Sequence, residues 1–148
     1  MDLADAECRS RFAVARVARL ATAGAAGQPH LVPVTFALDG DQVAIAVDHK
    51  PKRSTALRRL ANIAANPQVS LLVDQYSDDW DALWWVRADG HARIVDGGAE
   101  GSPGAARRAA VRGLVAKYQQ YQAHPPSGPV ILVRIDTWRG WAFTTPGR

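Results

Sequence analysis

A single cysteine, Cys8, stands among 148 residues. That excludes a disulfide framework within the chain and any zinc site built from several cysteines. No apolar run approaches the ~20 residues of a membrane span. The opening stretch MDLADAECRSRF carries three acids and no apolar core. It does not read as a secretory leader, and the expected compartment is the cytoplasm. His30, His49, His91 and His124 are scattered without metal-ligand spacing, and no HExxH is present. A GxSxG elbow, a GxGxxG fingerprint and a Walker loop are missing too, so the common hydrolase, dinucleotide and P-loop signatures are absent. The acidic run Asp78-Asp79-Trp80-Asp81 reads as a solvated loop rather than a metal site. There is no internal repeat and no low-complexity tract.

What remains is ordinary globular composition, 47% hydrophobic and 22% charged, which excludes a disordered chain. A chain of this length buries roughly 70% of its unfolded surface, and residues 1–148 are expected to form one domain. The formal net charge of +4 permits an anionic partner. It is too small, and too poorly aligned with exposed aromatics, to signal nucleic acid. Neither a nucleic acid nor a membrane is expected as partner.

Hydrophobic periodicity predicts a helix over Leu3 to Val17, with Leu3, Ala6, Ala13 and Val17 on a rough apolar face. A short strand follows at Arg19 to Thr22, then a Gly-rich turn. His30 to Leu38 reads as one strand with Pro33 inside it, and Asp39-Gly40-Asp41 is a hairpin turn leading into Gln42 to Val47. The next helix is expected from Thr55 to Ala65, where Leu57, Leu60, Ile63 and Ala64 share a stripe. Strands are expected at Gln68 to Asp74, at Leu83 to Val95 with Gly90 as a bend or bulge, and from Val130 to Thr144. Asp96 to Gly104 reads as a loop, and Ala105 to Gln122 as a helix with Val111, Leu114, Val115 and Tyr118 inward. Strands joined by hairpins, without regular helix alternation, argue for a small antiparallel barrel with peripheral helices.

Three features could carry chemistry. In KPKRSTALRR, the cations Lys50, Lys52, Arg53, Arg58 and Arg59 fall within ten positions, next to a helix start. Helix N-termini bind anions, so this is a candidate phosphate site, with a solvated basic turn as the rival reading. Pro33 cannot donate to a ladder. It marks either a protected sheet edge or a place where freed backbone groups read the polar rim of a heterocycle, and alone it favours the edge. The third feature is the set of five tryptophans, Trp80, Trp84, Trp85, Trp138 and Trp141. Trp84 and Trp85 point to opposite faces of a strand, so only one can be core. Cys8, in a polar helix, reads as an incidental thiol.

The segments RLAT, GQPHLVPVTFALDGD, QVAIAVD, HKPKR and LRRLANIAANPQVSLLVD together resemble the pyridoxamine 5′-phosphate oxidase-like split β-barrel superfamily. The stretch YSDDWDALWWVRADGHARIV is similar to the branch that uses the deazaflavin coenzyme F420. The resemblance implies a mainly β (α+β) fold, the FMN-binding split barrel, with six to seven antiparallel strands and peripheral helices. It implies a homodimer with cofactor sites at the interface. It places Lys50, Lys52, Arg53 and Arg59 on the cofactor's phosphate and acidic tail, and Val32, Pro33, Val34 and Thr35 along its ring. Trp80 and Trp141 would line the ring or substrate pocket, from the same or the other subunit. The implied activity is reduction of a small unsaturated substrate by hydride transfer from reduced F420. FMN is the alternative cofactor, and a non-enzymatic flavin, deazaflavin or haem binder is the third reading. Near the C-terminus, Trp138-Arg139-Gly140-Trp141 supplies an arginine but lacks the histidine of true pyridoxamine-phosphate oxidases, which argues against that substrate. No side chain stands out as a proton donor.

Overall fold

The computed structural model describes residues 1–47 and 55–144. Chain order is α1 (Asp5–Val14), β1 (Ala18–Ala23), β2 (Pro29–Val34), β3 (Ala37–Asp39), β4 (Gln42–Ala46), α2 (Thr55–Ala65), β5 (Gln68–Gln75), a 3-10 turn (Trp80–Ala82), β6 (Trp84–Val95), α3 (Gly101–Lys117), α4 (Gln119–Ala123) and β7 (Val130–Ala142). The seven strands form one sheet in the order β2-β1-β5-β6-β7-β4-β3, every pair antiparallel. This is the expected split barrel.

Period-two burial builds it. Ala18, Leu20 and Thr22 of β1 face inward with Val69, Leu71 and Val73 of β5, while Arg19 and Leu72 face out. The long β6–β7 ladder carries a register shift at Asp89/Gly90. Gly90 is required there, because a Cβ would lie 2.1 Å from the Arg134 carbonyl oxygen. In the DGD turn Gly40 has φ +61, a conformation glycine adopts freely. The barrel interior is closed by α1, whose Phe12 ring meets Phe36 at 4.7 Å and Trp138 at 5.3 Å. A second apolar layer packs Ala110, Leu114 and Tyr118 against Ala44, Val130 and Leu132. No described helix is long and apolar enough to cross a membrane.

Five sequence expectations are corrected. Residues Cys8 and Phe12 form the buried face of α1, while Ala6 and Val17 are exposed. Cys8 is thus a core thiol, and burial raises its pKa. The stretch from His30 to Leu38 is two strands, broken at Thr35 and Phe36. The cause is a side chain: the Tyr118 hydroxyl accepts from the Phe36 N–H at 3.1 Å and faces its carbonyl oxygen at 3.0 Å. Phe36 therefore satisfies its backbone outside the ladder. Helix α3 begins at Gly101, inside the expected loop, since Pro103 falls in a first turn whose N–H groups lack helical partners anyway. Tyr118, in extended conformation, separates it from α4, so the expected single helix is two. Trp84 packs against the core under Arg11, Trp85 takes the outer face, and Trp138 is buried with its Nε1 donating to Asp41. In α2, Ile63 is buried and Leu60 packs against the core, but Leu57 is exposed.

Lys117 is the least comfortable charge. Its Nζ donates to the Ala15 carbonyl at 2.7 Å and lies 3.7 Å from the Phe36 ring centre. Burial, with Arg16 nearby, lowers its pKa from 10.5 to about 8. Below pH 8 both folded and unfolded chains hold this proton, and the full cost of burying the cation is present. Between about 8 and 10.5 the folded chain releases it first, so stability rises with pH across that window. The stability of wild type relative to Lys117→Met should therefore climb from pH 8 to 10, read as the difference in urea midpoints. A flat difference would refute it.

Candidate functional site

Five pieces of chain meet around a cavity of about 550 Å³: the end of β2 with Thr35, the end of β4 with Val47, Arg59 of α2, the tyrosine-bearing α4, and the segment 124–128. Four of these pieces are held in place by named bonds. Val47 donates its N–H to the Pro129 carbonyl at 3.0 Å. Arg107 of α3 reaches across to the far wall, donating to Pro126 O at 3.2 Å and Gly128 O at 2.7 Å. Tyr121 Oη and Thr35 Oγ1 are 2.8 Å apart and bridge α4 to the β2–β3 break. Tyr118 anchors the same break from beneath, its hydroxyl also 2.9 Å from Arg16 O, and burial raises its pKa.

The charge in this cavity is Arg59. It is half-buried, its Nε is shielded from solvent, and that nitrogen has no partner among the described residues. Burial lowers its pKa from the ordinary value. An unpaired donor on a desolvated cation costs free energy, and an anionic ligand relieves it. The described wall contains no acid. Pro33 is exposed on β2, an edge strand whose only ladder partner among the described residues is β1, so one side of Val32–Val34 presents backbone groups free of the described sheet. The edge reading of Pro33 holds, and that edge lines a cavity.

Of the residues singled out from sequence, Pro33, Val34, Thr35 and Arg59 come together here. Val32 is half-buried against the core and does not line the cavity. Lys50, Lys52 and Arg53, with His49, lie outside the described residues. Trp80 and Trp141 do not line it within this chain. Trp80 is 67% exposed on the 3-10 turn, and Trp141 pairs with Trp85 in the β6–β7 ladder. Sequence reasoning missed Tyr121, Gln120 and His124. The signal was the YQQYQAHPP stretch, where two tyrosines three apart precede a proline break. A separate cavity of about 490 Å³ on the outer sheet face holds Ser70 bonded to Asp89 and His91 bonded to Asp136. The Ser70–Asp89 and His91–Asp136 pairs take up one another's donors and acceptors. Among the described residues no group of three or more His, Cys, Asp or Glu is arranged to hold a metal.

The pyridoxamine 5′-phosphate oxidase family pattern matches residues 4–142. The chain belongs to that family. Over 56 residues it is 39% identical to the 5a,11a-dehydrotetracycline/5a,11a-dehydrooxytetracycline reductase of Streptomyces rimosus subsp. rimosus, a match that spans only 38% of either protein. Among solved structures, a FAD-binding protein of Mesorhizobium loti superposes with a TM-score of 0.71 at 21% identity, covering 95% of this chain and 93% of that one. A haem-binding protein of Mycobacterium smegmatis gives 0.66 at 26% identity, covering 94% of this chain and 54% of the other. Family membership accounts for the barrel.

Proposed function

We propose that the chain is an oxidoreductase that binds F420 in the Arg59 cavity and reduces a small unsaturated substrate. The Arg59 guanidinium, whose Nε has no partner among the described residues, beside the exposed β2 edge is the observation that carries this reading. It fits a cofactor with an anionic tail and a flat heterocycle. When bound, F420 in its reduced form supplies a hydride. The chain supplies placement. Arg59, with Lys50, Lys52 and Arg53 of the basic stretch, would hold the phosphate and acidic tail by charge-assisted bonds. The edge backbone at Val32–Val34 would meet the polar rim of the ring, and the Thr35–Tyr121 pair would fix its far side. The reductase relative supports the reaction class, and the resemblance of YSDDWDALWWVRADGHARIV supports F420 over FMN.

Titration of the purified protein with F420 and with FMN, followed by tryptophan quenching, tests the assignment. F420 is expected to bind more tightly. In Arg59→Gln its Kd should rise tenfold or more, from the loss of a charged hydrogen bond of about 1.5–3 kcal/mol. Unchanged affinity in that variant would remove the cavity as the cofactor site, and preference for FMN would move the assignment to the flavin branch. The haem reading has the Mycobacterium smegmatis likeness in its favour. A Soret band on haem titration, with neither F420 nor FMN bound, would select it.

The partner proposed for the outer sheet face is a second copy of the chain. Leu31, Tyr76 and Trp80 are exposed there or beside it, at 65%, 62% and 67%, and Leu72, Tyr76 and Trp85 line an apolar hollow. Exposed apolar surface of this kind marks an interaction site. In such a homodimer Trp80 and Trp141 would reach the cofactor from the other subunit. Light scattering should give twice the 16.0 kDa chain mass, and Leu31→Glu should return it toward the single mass. A wild-type protein at 16.0 kDa would overturn this.

A further inference from the structure

A second hollow, about 460 Å³, adjoins the Arg59 cavity and shares three residues with it: Thr35, Gln120 and Tyr121. Its remaining wall is Arg16 and Tyr118. The two tyrosine rings meet edge to face with centres 5.7 Å apart, giving the hollow an aromatic side. Arg16 lies over the Tyr118 ring at 5.1 Å and donates to the Lys117 carbonyl at 3.2 Å, which places its guanidinium at the opening. Lys117 stands behind it, over Phe36.

Among the described residues, no carboxylate forms an ion pair with Arg16 or Lys117. Neither hollow has an acid in its described wall. Helix α3 adds Arg107, Arg108 and Arg112 and contains no acid from Gly101 to Lys117. Each cation therefore raises the cost of holding the other, and a bound anion would lower both. Other exposed arginines, Arg58, Arg93, Arg108, Arg112 and Arg139, also pair with no acid among the described residues. What sets Arg16 apart is its place in the wall of a hollow, next to the half-buried Lys117.

We propose that the smaller hollow is the acceptor subsite, and that it selects a planar acceptor carrying a carboxylate, held by Arg16. The proposal rests on the reading of the larger cavity as the cofactor's. A flat molecule would lie against Tyr118 and Tyr121 with its carboxylate on the guanidinium, and the Thr35–Tyr121 hydroxyl pair would stand between it and the cofactor. Arg16 then determines specificity: a neutral analogue of the same shape leaves the cations uncompensated.

The test needs no turnover. The chain has three lysines, Lys50, Lys52 and Lys117, so a protein labelled with 13C at lysine Cε gives three resolvable titrations, assigned with Lys117→Met. Benzoate is the probe and benzamide its neutral counterpart. Benzoate should move the Lys117 midpoint up from about 8 by about one pH unit, as an opposite charge nearby does. Benzamide should not, and Arg16→Gln should abolish the effect of benzoate. No movement with benzoate, or movement that survives Arg16→Gln, overturns the proposal. Movement abolished by Arg59→Gln but kept in Arg16→Gln would put the anion in the larger cavity, which overturns the subsite while sparing the cofactor reading. Conversely, an Arg16-dependent movement in a protein whose F420 affinity ignores Arg59→Gln would keep the anion subsite and sink the cofactor reading.

Discussion

Phe12→Ala is expected to destabilise the fold by about 3–5 kcal/mol, the usual cost of deleting a buried phenylalanine ring. Phe12 has no exposed surface. Its ring touches Phe36 at the β2–β3 break and Trp138 in β7, so it joins three parts of the chain that are distant in sequence. The neighbours cannot collapse into the space cheaply. Phe36 is tethered through its backbone to Tyr118, and Trp138 through its indole N–H to Asp41. A domain of this size is stable by only about 5–15 kcal/mol, so the variant should be near its threshold. Urea denaturation gives the number, and Phe12→Leu, which keeps most of the volume, should lose distinctly less. A loss below about 1 kcal/mol for the alanine variant would mean that α1 does not close the barrel as described.

The second large effect is at Gly90. Alanine there places its Cβ 2.1 Å from Arg134 O, 2.9 Å from Arg134 C and 3.1 Å from Ile135 Cα. All three are backbone atoms of the central β7 strand, so relief requires the ladder itself to move. Overpacking against flexible side chains costs about 1–3 kcal/mol, and a backbone collision belongs at or above the top of that range. Gly90→Ala should lower the urea midpoint by about 3 kcal/mol equivalent or fail to accumulate as soluble protein. Gly98→Ala is the control, because nothing lies within 4 Å of its added Cβ. Equal stability of the two variants would refute the bulge geometry.

Local chemistry was readable from sequence where neighbours along the chain decide the outcome. Asp39-Gly40-Asp41 makes its turn, α2 runs from Thr55 to Ala65, and Gly90 marks the irregular point of β6. Pro33 announces an edge because a proline has no N–H to give a second neighbour. The features that escaped depend on distant partners. Nothing in HLVPVTFAL tells that Phe36 will leave the ladder, since the group that takes its N–H is 82 positions away. Cys8 and Phe12 are buried on a helix whose composition shows no apolar stripe, because the barrel mouth needs only one turn of it. The site was half legible. Arg59 and the β2 edge stand out by type. Tyr121 and His124 reach the cavity only through the chain break at Tyr118 and the grip of Arg107 on the 126–128 backbone.

The Tyr118 hydroxyl has a consequence for how this molecule breathes. Most amides of a sheet exchange with solvent when neighbouring strands part. The Phe36 amide is bonded to a side chain at the end of α3, so its exchange clock runs on the docking of that helix. Thr35, one residue earlier, is tied to Tyr121 in the next turn of chain. Lifting the two tyrosines would therefore loosen the floor between both hollows at once, without opening a single rung of the barrel. A deuterium label on one backbone nitrogen becomes a gauge of when the chamber is shut.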